Sequence, residues 1–496
     1  MWTSINQALN IIDNFVWGVP LMVLIIAGGL LLTIRLGLLQ IRKLPLALKW
    51  MLQNEEGGKG EISSFSALCT ALSATIGTGN IVGVATAVCA GGPGALFWMV
   101  VAAFLGMATK YSEGLLAVKY RTVAEDGHSL GGPFYYIELG MGKKFKWLAK
   151  IFAFFGVCVG LFGIGTFSQV NGISSAVHGF FDPNDAFTVK ILPFLGEYSW
   201  SVVIASLILS FCVAAVLIGG VKRIASVSQI IVPFMAVIYF VFAVILICCN
   251  ITKVPAAFAT IVTAAFSPKA ITGGAVGSML IAMQKGVARG IFSNEAGLGS
   301  APIAAAAAQT NSPVRQGLVS MTGTFIDTII ICTLTGLSIV LTGAWQVEGL
   351  EGVQVTTYAF QHGLPFPAQF SSFILMLCLV FFAFTTILGW DYYSERCLEY
   401  LSGGNMKHVK IFRWIYILAV FIGPYMTVSA VWTIADIFNG LMAIPNMIAL
   451  FALSGVIVKE TRAFFQHAKE EALATLEKVL SELTNQMKNA YSRSDA

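Results

Sequence analysis

The sequence predicts an all-α membrane protein with about eleven transmembrane helices. Of its 496 residues, 57% are hydrophobic and only 11% are charged, too few to cover the surface of a soluble protein of this size. Apolar runs of about twenty residues recur from one end of the chain to the other, and each is long enough to cross a hydrocarbon core of roughly 30 Å. These runs lack the period-two alternation of barrel strands, so helices are expected.

The first apolar run is predicted to be a retained helix and not a secretory signal. It is too long for the hydrophobic region of a signal, no basic residues precede it, and no small-residue cleavage site follows it. In chain order, the predicted spans are 14–34, 63–90, 94–118, 148–178, 198–219, 225–249, 272–308, 316–342, 368–395, 411–429 and 432–457.

The basic residues predict how the chain is oriented in the membrane. One alternate set of connecting segments, together with the C-terminal tail, contains 24 lysines and arginines, whereas the other set contains only Lys190, Lys253 and Lys269. Since the basic set stays in the cytoplasm, we expect a multi-pass protein of the bacterial plasma (inner) membrane, with its N-terminus outside and its C-terminus in the cytoplasm.

Two spans are predicted to be broken helices. The second contains Gly77, Thr78, Gly79 and Asn80 at mid-membrane, and the seventh contains Lys285, Arg289 and Glu295 among several glycines. A continuous helix facing lipid would not carry these charges, because each one costs several kcal/mol to desolvate. If the first span is set aside, each broken span opens a group of five, which is typical of an inverted repeat with a binding site between its halves.

This arrangement predicts an extra N-terminal helix, a connecting segment, two five-helix repeats and a tail. The expected boundaries are 1–38 for the extra transmembrane helix, 39–62 for the basic cytoplasmic segment, 63–250 and 251–457 for the two repeats, and 458–496 for the charged cytoplasmic tail.

A break at Gly77–Gly79 predicts a site for a zwitterion. The free amides of Gly77, Thr78 and Gly79 would point into a cavity and favour a carboxylate. The carbonyls that end the preceding half-helix, near Ile76, would suit sodium or the substrate's ammonium group. The competing interpretation is that Gly-Thr-Gly only permits close helix packing.

Other polar residues inside the spans are expected to face the bundle interior. Asp327 is predicted to be a cation ligand, a proton carrier, or the partner of Lys285 or Arg289. Lys110 and Glu113 lie three residues apart on one helix and are expected to pair near the cytoplasmic edge.

Four motifs closely resemble the alanine or glycine:cation symporter family. They are Gly77-Thr-Gly-Asn-Ile-Val-Gly-Val-Ala85, Gly91-Gly-Pro-Gly-Ala-Leu-Phe-Trp98, Gly106-Met-Ala-Thr-Lys110 and Phe292-Ser-Asn-Glu-Ala-Gly-Leu-Gly-Ser-Ala-Pro302. The resemblance covers roughly residues 14–457. It implies a LeuT-type core of ten helices in a 5+5 inverted repeat, preceded by one extra N-terminal helix. It also implies sodium-coupled, in some members proton-coupled, uptake of alanine or glycine.

The resemblance also implies the site residues. Those expected to contact the amino acid are Thr75, Gly77, Thr78, Gly79, Phe167, Gln169, Asn171, Thr386 and Trp390. A Trp and a Phe among them would close a pocket small enough for a methyl group. A first sodium site is expected at Ser73, Ile76, Thr385 and Thr386, and a second at Thr75, Asn80 and Asp327.

The sequence argues against other classes of function. It carries none of the motifs of metalloproteases, serine hydrolases or nucleotide-binding enzymes, so an enzyme is not expected, and neither are an organic cofactor, a nucleic-acid ligand or an obligatory protein partner. A channel remains a rival because channels also contain broken helices. The closer alternatives are a carrier of the same fold for serine or glutamine, and coupling to protons in place of sodium.

Overall fold

The computed structural model describes residues 2–53, 55, 57–124, 127–190, 197–266, 275–425 and 428–494. Its architecture is a bundle of α-helices. In chain order, the helices are α1 (Trp2–Val16), α2 (Val19–Arg35), α3 (Leu39–Arg42), α4 (Leu44–Met51), α5 (Ser64–Thr75), α6 (Val84–Gly91), α7 (Gly94–Lys119), α8 (Pro133–Tyr135), α9 (Lys146–Phe162), α10 (Phe167–Phe181), α11 (Trp200–Leu217), α12 (Gly220–Cys249), α13 (Val254–Phe266), α14 (Ala275–Asn294), α15 (Ala301–Ala305), α16 (Pro313–Thr324), α17 (Thr333–Thr342), α18 (Val353–Gly363), α19 (Ala368–Leu401), α20 (Met406–Ile422) and α21 (Val428–Ser494).

Shorter elements connect these helices. The two antiparallel hairpins pair β1 (Thr122–Val123) with β2 (Ser129–Leu130) and β3 (Thr188–Lys190) with β4 (Glu197–Ser199). The π-helical turns are Gly79–Gly83, Tyr136–Gly140 and Phe325–Cys332, and the 3-10 turns are Lys143–Phe145, Ile251–Lys253, Ala344–Gln346 and Gly423–Tyr425.

The helices confirm a multi-pass, all-α membrane protein. Within the described part of the chain, eight helices are long and apolar enough to cross a bilayer, and the count is nine if α5 and Gly79–Gly91, which are bent by 51°, together form one span. The predicted spans 272–308 and 411–429 correspond to α14 with α15, and to the 17-residue α20. Residues 272–274 and 426–427 of these two spans, and Lys269, lie outside the described residues.

The predicted span 148–178 lies within the apolar span Lys143–Phe181, but its helix is not continuous. Helix α9 ends at Phe162, and α10 begins at Phe167, so the segment 163–166 interrupts the span. Gly165 folds back onto the preceding turn, where a β-carbon would lie 2.6 Å from Gly160 O. This close approach excludes a side chain there, and it frees backbone groups near the middle of the bundle.

The two predicted broken spans pack against each other in opposite directions. Helix α5 contacts α15, whereas α6 contacts α14, so the first half of each span meets the second half of the other. At one end, the amides of Glu61 and Ile62 donate to Ala307 O. At the centre, a β-carbon at Gly79 would lie 3.2 Å from Ser293 Cα. The two breaks are therefore neighbours in the interior.

One long helix joins the last predicted span to the tail. Helix α21 runs over 67 residues and so includes both the predicted span 432–457 and residues 458–494 of the predicted charged tail. Two short helices, α3 and α4, lie within the predicted connecting segment 39–62, and α13 (Val254–Phe266) follows α12.

Candidate functional site

The first break is formed by a helix that stops at mid-bundle. Helix α5 begins at Ser63, whose Oγ accepts the Ser66 amide at 3.0 Å, and it ends at Thr75. Ile76 then adopts an extended conformation (φ −77°, ψ 91°) before the chain resumes at the π-helical turn Gly79–Gly83. This change of direction exposes backbone groups that a continuous helix would use internally.

Side-chain oxygens accept two of the amides at this break. The Gly77 amide donates to Asn80 Oδ1 at 2.9 Å, and the Thr78 amide donates to Gln169 Oε1 at 3.0 Å. The prediction that both amides point freely into a cavity is therefore wrong for this conformation. Both acceptors are neutral amide oxygens, so an incoming carboxylate would be the stronger acceptor for these N–H groups.

Gln169 is oriented by the interruption between α9 and α10. Its Nε2 donates to Ile164 O at 2.9 Å, while its Oε1 accepts the Thr78 amide. Because the Ile164 carbonyl lies in the interrupted segment, it is available for this bond. The break that sequence reasoning missed therefore directs Gln169 toward the break that it predicted.

Gly77 lies where no side chain fits. A β-carbon there would be 2.4 Å from Thr386 Oγ1 and 2.9 Å from Gln169 Oε1. Thr386 Oγ1 in turn donates to Ile76 O at 3.3 Å and to Phe382 O at 3.0 Å. The glycine thus lets α19 approach the end of α5.

The structure brings together part of the predicted first sodium site. The hydroxyl of Thr386 and the carbonyl of Ile76 are adjacent, and both are neutral oxygens of the kind sodium accepts at broken helices. Thr385 Oγ1 instead donates to Phe382 O at 3.0 Å, and Ser73 Oγ donates to Thr70 O at 2.8 Å.

The predicted second sodium site is assembled around Asp327 without Thr75. Asn80 Nδ2 donates to Asp327 Oδ1 at 2.8 Å, and the hydroxyls of Ser293 and Thr328 donate to Oδ2 at 2.9 and 2.6 Å. The Thr75 hydroxyl donates to the carbonyl of Leu72, at 3.3 Å in its own helix. Asn80 therefore connects the Gly77 amide to Asp327.

The expected pairing of Asp327 with a membrane-embedded cation is wrong for Arg289. The Arg289 guanidinium forms a two-pronged ion pair with Asp436, at 2.9 Å from Nη1 to Oδ1 and 2.8 Å from Nη2 to Oδ2. Asp327 is instead surrounded by uncharged donors.

Lys110 and Glu113 interact electrostatically as expected, but the hydrogen bonds of both side chains go to the second break. This break follows Asn294, the last residue of α14. Lys110 Nζ donates to Asn294 O at 2.8 Å. Glu113 Oε1 accepts the Gly297 amide at 3.1 Å and Asn446 Nδ2 at 2.7 Å.

Trp390 belongs to the second break and not to the first. Its Nε1 donates to Glu295 Oε1 at 2.8 Å, and Glu295 itself has a positive φ of 56°. Phe167 is likewise displaced from its predicted place, because it packs against Phe162 and the backbone at Gly423. These two aromatic rings do not form the predicted cover of the pocket.

A different Phe and Trp lie beside the first break. A β-carbon at Gly79 would be 3.4 Å from Phe292 Cδ1, and the Phe292 ring lies 5.2 Å from that of Trp432. The Arg289 guanidinium lies 5.5 Å from the Phe292 ring and 5.3 Å from the Trp432 ring. We call Arg289, Phe292, Trp432 and Asp436 the outer cluster. Phe292 opens one of the recognised motifs, whereas Trp432 gave no signal in the sequence.

A cavity connects this region to one face of the bundle. Its volume is about 1080 Å³, and its lining includes residues 349–352, from the face that is predicted to be outside. Asn171, Gly172 and Trp432 also line it. Because a β-carbon at Gly172 would lie 2.5 Å from Thr78 Cγ2, the cavity wall reaches the first break.

The sequence profile of the sodium:alanine symporter family matches residues 2–478. The chain belongs to this family. It is therefore a transporter and not an enzyme, and sodium-coupled amino-acid transport is the general activity of this symporter.

Characterised and uncharacterised relatives align over nearly the whole symporter. The sodium/alanine symporter AgcS of Methanococcus maripaludis is 46% identical over 471 residues, 94% of this chain and 98% of the relative. An uncharacterized transporter of Haemophilus influenzae is 55% identical over 467 residues, covering 94% and 97%. The probable sodium/glutamine symporter GlnT of Bacillus subtilis is 36% identical over 472 residues, covering 95% and 92%.

Proposed function

We propose that this symporter carries a small neutral amino acid, alanine or glycine, into the cell together with sodium by alternating access. The observation that carries the proposal is the first break, where two backbone amides are held by neutral side-chain oxygens beside a cavity. Such amides favour a carboxylate, and the carbonyl of Ile76 ends the half-helix nearby.

Binding of the substrate carboxylate would displace the amide oxygens of Gln169 and Asn80 from the backbone. The two side chains keep the amides satisfied when substrate is absent, since a buried N–H without an acceptor costs about 1–3 kcal/mol. We expect Phe292, which lies beside Gly79, to limit the space for the substrate side chain. A methyl group or a hydrogen suits this space better than a longer chain.

Sodium is proposed to bind in two places. At the first, the oxygens of Ile76 and Thr386 are adjacent, and rotation of the Thr385 hydroxyl with the Ser73 carbonyl would complete the set. At the second, Asp327 supplies the charge. Because Asn80 bonds both Asp327 and the Gly77 amide, a cation at Asp327 would orient Asn80 and so couple ion to substrate.

We further propose a LeuT-type 5+5 repeat after one extra helix, with repeats at 63–250 and 251–457. The opposed packing of the two broken spans supports this arrangement. The distribution of basic residues supports an N-terminus outside the cell and a cytoplasmic C-terminus in the bacterial inner membrane.

The relatives' names support alanine and leave glutamine as the second candidate. The archaeal relative named for alanine is 46% identical, whereas the relative named for glutamine is 36% identical. The position of Phe292 favours the smaller substrate.

Uptake by the purified symporter in liposomes tests the proposal. Labelled alanine should accumulate under an inward sodium gradient, and an equal potassium gradient should not drive it. Excess unlabelled glycine should compete more strongly than serine or glutamine, and unlabelled alanine outside should accelerate exit of labelled alanine. Uptake driven equally without sodium, or stronger competition by glutamine than by glycine, would overturn the proposed coupling or substrate.

A further inference from the structure

The outer cluster fastens α14 to α21. Arg289 on α14 and Asp436 on α21 form the two-pronged ion pair, and the guanidinium lies against both aromatic rings of the cluster. Trp432 lines the cavity that opens toward the face predicted to be outside, which we call the outer cavity, and Phe292 lies beside Gly79. The cluster therefore reaches from the cavity wall to the first break.

The corner between α1 and α2 touches both of these helices through one residue. Trp17 is only 5% exposed, and its Nε1 donates to the backbone oxygen of Asp436 at 2.7 Å. Its own carbonyl accepts Gln284 Nε2 from α14 at 3.2 Å. Trp17 thus holds the same pair of helices that the ion pair joins.

Helix α21 has a glycine at the place where the junction of α1 and α2 packs against it. Gly440 lies one turn beyond Asp436, and a β-carbon there would be 2.4 Å from Val16 Cγ1 and 3.2 Å from Trp17 Nε1. A larger residue at 440 would push the corner away. The carbonyl of Asp436 has two lone pairs, so it can accept the indole N–H in addition to its own helical bond.

Charged groups next to the corner reinforce the connection. Asp13, one turn before Trp17, interacts electrostatically with Asp436, Arg289 and Lys285. The carboxylate of Asp436 and the cations of Arg289 and Lys285 therefore lie within electrostatic range of Asp13, and Arg289 pairs directly with Asp436. The extra N-terminal helix contributes one of the four charges.

We propose that Trp17 is a positioning residue of the outer cluster. By bonding the Asp436 carbonyl and the Gln284 side chain at once, it fixes the spacing of α14 and α21 and stabilises the conformation described here, in which the cavity is open toward the face predicted to be outside. This role rests on the proposed alternating-access function and involves no contact with substrate. It gives the helix that precedes the two repeats a part in the transport cycle.

Cys89 provides a reporter of access to the outer cavity, because it is exposed and lines that cavity. The test uses the full-length symporter in liposomes with four other cysteines replaced by serine, namely Cys158, Cys212, Cys248 and Cys249. A charged methanethiosulfonate added from outside should label Cys89, and sodium with alanine should slow the labelling.

Trp17→Phe keeps an aromatic ring but removes the indole donor. In sodium without alanine, we expect Cys89 to be labelled about five-fold more slowly than in the parent protein, since one hydrogen bond shifts an equilibrium by about that factor. The KM for alanine should rise by a similar factor. Gln284→Leu, which removes the other contact, should act in the same direction.

Trp98→Phe is the matched control. Trp98 Nε1 also donates to a backbone carbonyl, that of Ala265 at 3.2 Å, but this bond joins α7 to α13 and not α14 to α21. Trp98→Phe should leave the rate of Cys89 labelling unchanged.

Three outcomes would overturn the role of Trp17. They are equal rates of Cys89 labelling in Trp17→Phe and the parent, an equal slowing of labelling in Trp98→Phe, and a lower melting temperature in Trp17→Phe without any change in labelling. Absence of sodium-driven alanine uptake by the parent itself would instead refute the proposed function.

Discussion

Substitution of Gly77 by alanine tests the geometry of the first break. The new β-carbon would lie 2.4 Å from Thr386 Oγ1, so the hydroxyl must retreat by about 1 Å to reach an ordinary contact distance. When the Thr386 hydroxyl moves away, it loses its bond to Ile76 O. Gln169 Oε1, which would lie 2.9 Å from the new β-carbon, must also shift away from the Thr78 amide.

The expected loss follows from these two bonds. Each lost hydrogen bond contributes about 1 kcal/mol, and a buried group left without a partner costs about 1–3 kcal/mol. A combined effect of about 2–4 kcal/mol corresponds to roughly 30- to 1000-fold lower sodium-driven alanine uptake, expressed as Vmax/KM in liposomes. Gly455→Ala is the control, because its β-carbon meets nothing within 4 Å and alanine is the better helix former.

A double-mutant cycle identifies the cause of the loss. Thr386→Ala removes the obstructing oxygen, so Gly77→Ala should cause much less additional loss in that background than in the wild type. Wild-type uptake by Gly77→Ala, or an undiminished loss in the Thr386→Ala background, would refute the steric explanation.

Three further substitutions test other parts of the site. Asp327→Asn removes the charge that Asn80 contacts, and we expect the sodium concentration for half-maximal uptake to rise at least ten-fold (about 1.4 kcal/mol), whereas full sodium-dependent uptake would contradict a role in coupling. Phe292→Leu should enlarge the pocket and strengthen competition by glutamine relative to glycine by about ten-fold, about the factor that one or two methylenes contribute in an apolar pocket, and an unchanged ratio would show that Phe292 does not limit substrate size. Gly299→Ala should lower the melting temperature of the detergent-purified protein, because a β-carbon there would lie 2.7 Å from Pro133 Cγ at a φ of 81°. Gly349→Ala, with a φ of 82° and no neighbour within 4 Å, separates backbone strain from the collision, and equal melting of both variants would exclude the collision.

The positions of the two breaks could be predicted because lipid gives the backbone no hydrogen-bond partners. Glycines and polar residues at mid-membrane, as in Gly77–Asn80, are stable there only where the chain lines a protein interior or a cavity. The same rule applies to the interruption at 163–166. Gly163 and Gly165 could have indicated it, but the segment contains no charged residue that marks a break.

The side-chain partners across the bundle could not be predicted in the same way. Arg289 and Asp436 are 147 positions apart, and nothing local distinguishes Asp436 from Asp327 as the partner of Arg289. Only the packing of α21 beside α14 decides between them.

One error could have been avoided from helix geometry alone. Phe167 and Gln169 are two residues apart on α10, so their side chains point about 200° apart around the helix. Both cannot face the same break. Gln169 bonds the Thr78 amide, which leaves Phe167 to pack on the opposite side.

Because α21 is one long helix, a movement near one of its ends can be transmitted toward the other. About 42 Å of helix separates Asp436, in the ion pair with Arg289, from Phe464, whose ring lies 6.0 Å from that of Trp50. Pro445 interrupts the backbone bonding of this helix, and Asn446, the next residue, bonds Gly297 in the second break. A tilt of the segment before Pro445 would therefore turn about a point anchored to the second break and displace the segment that follows it.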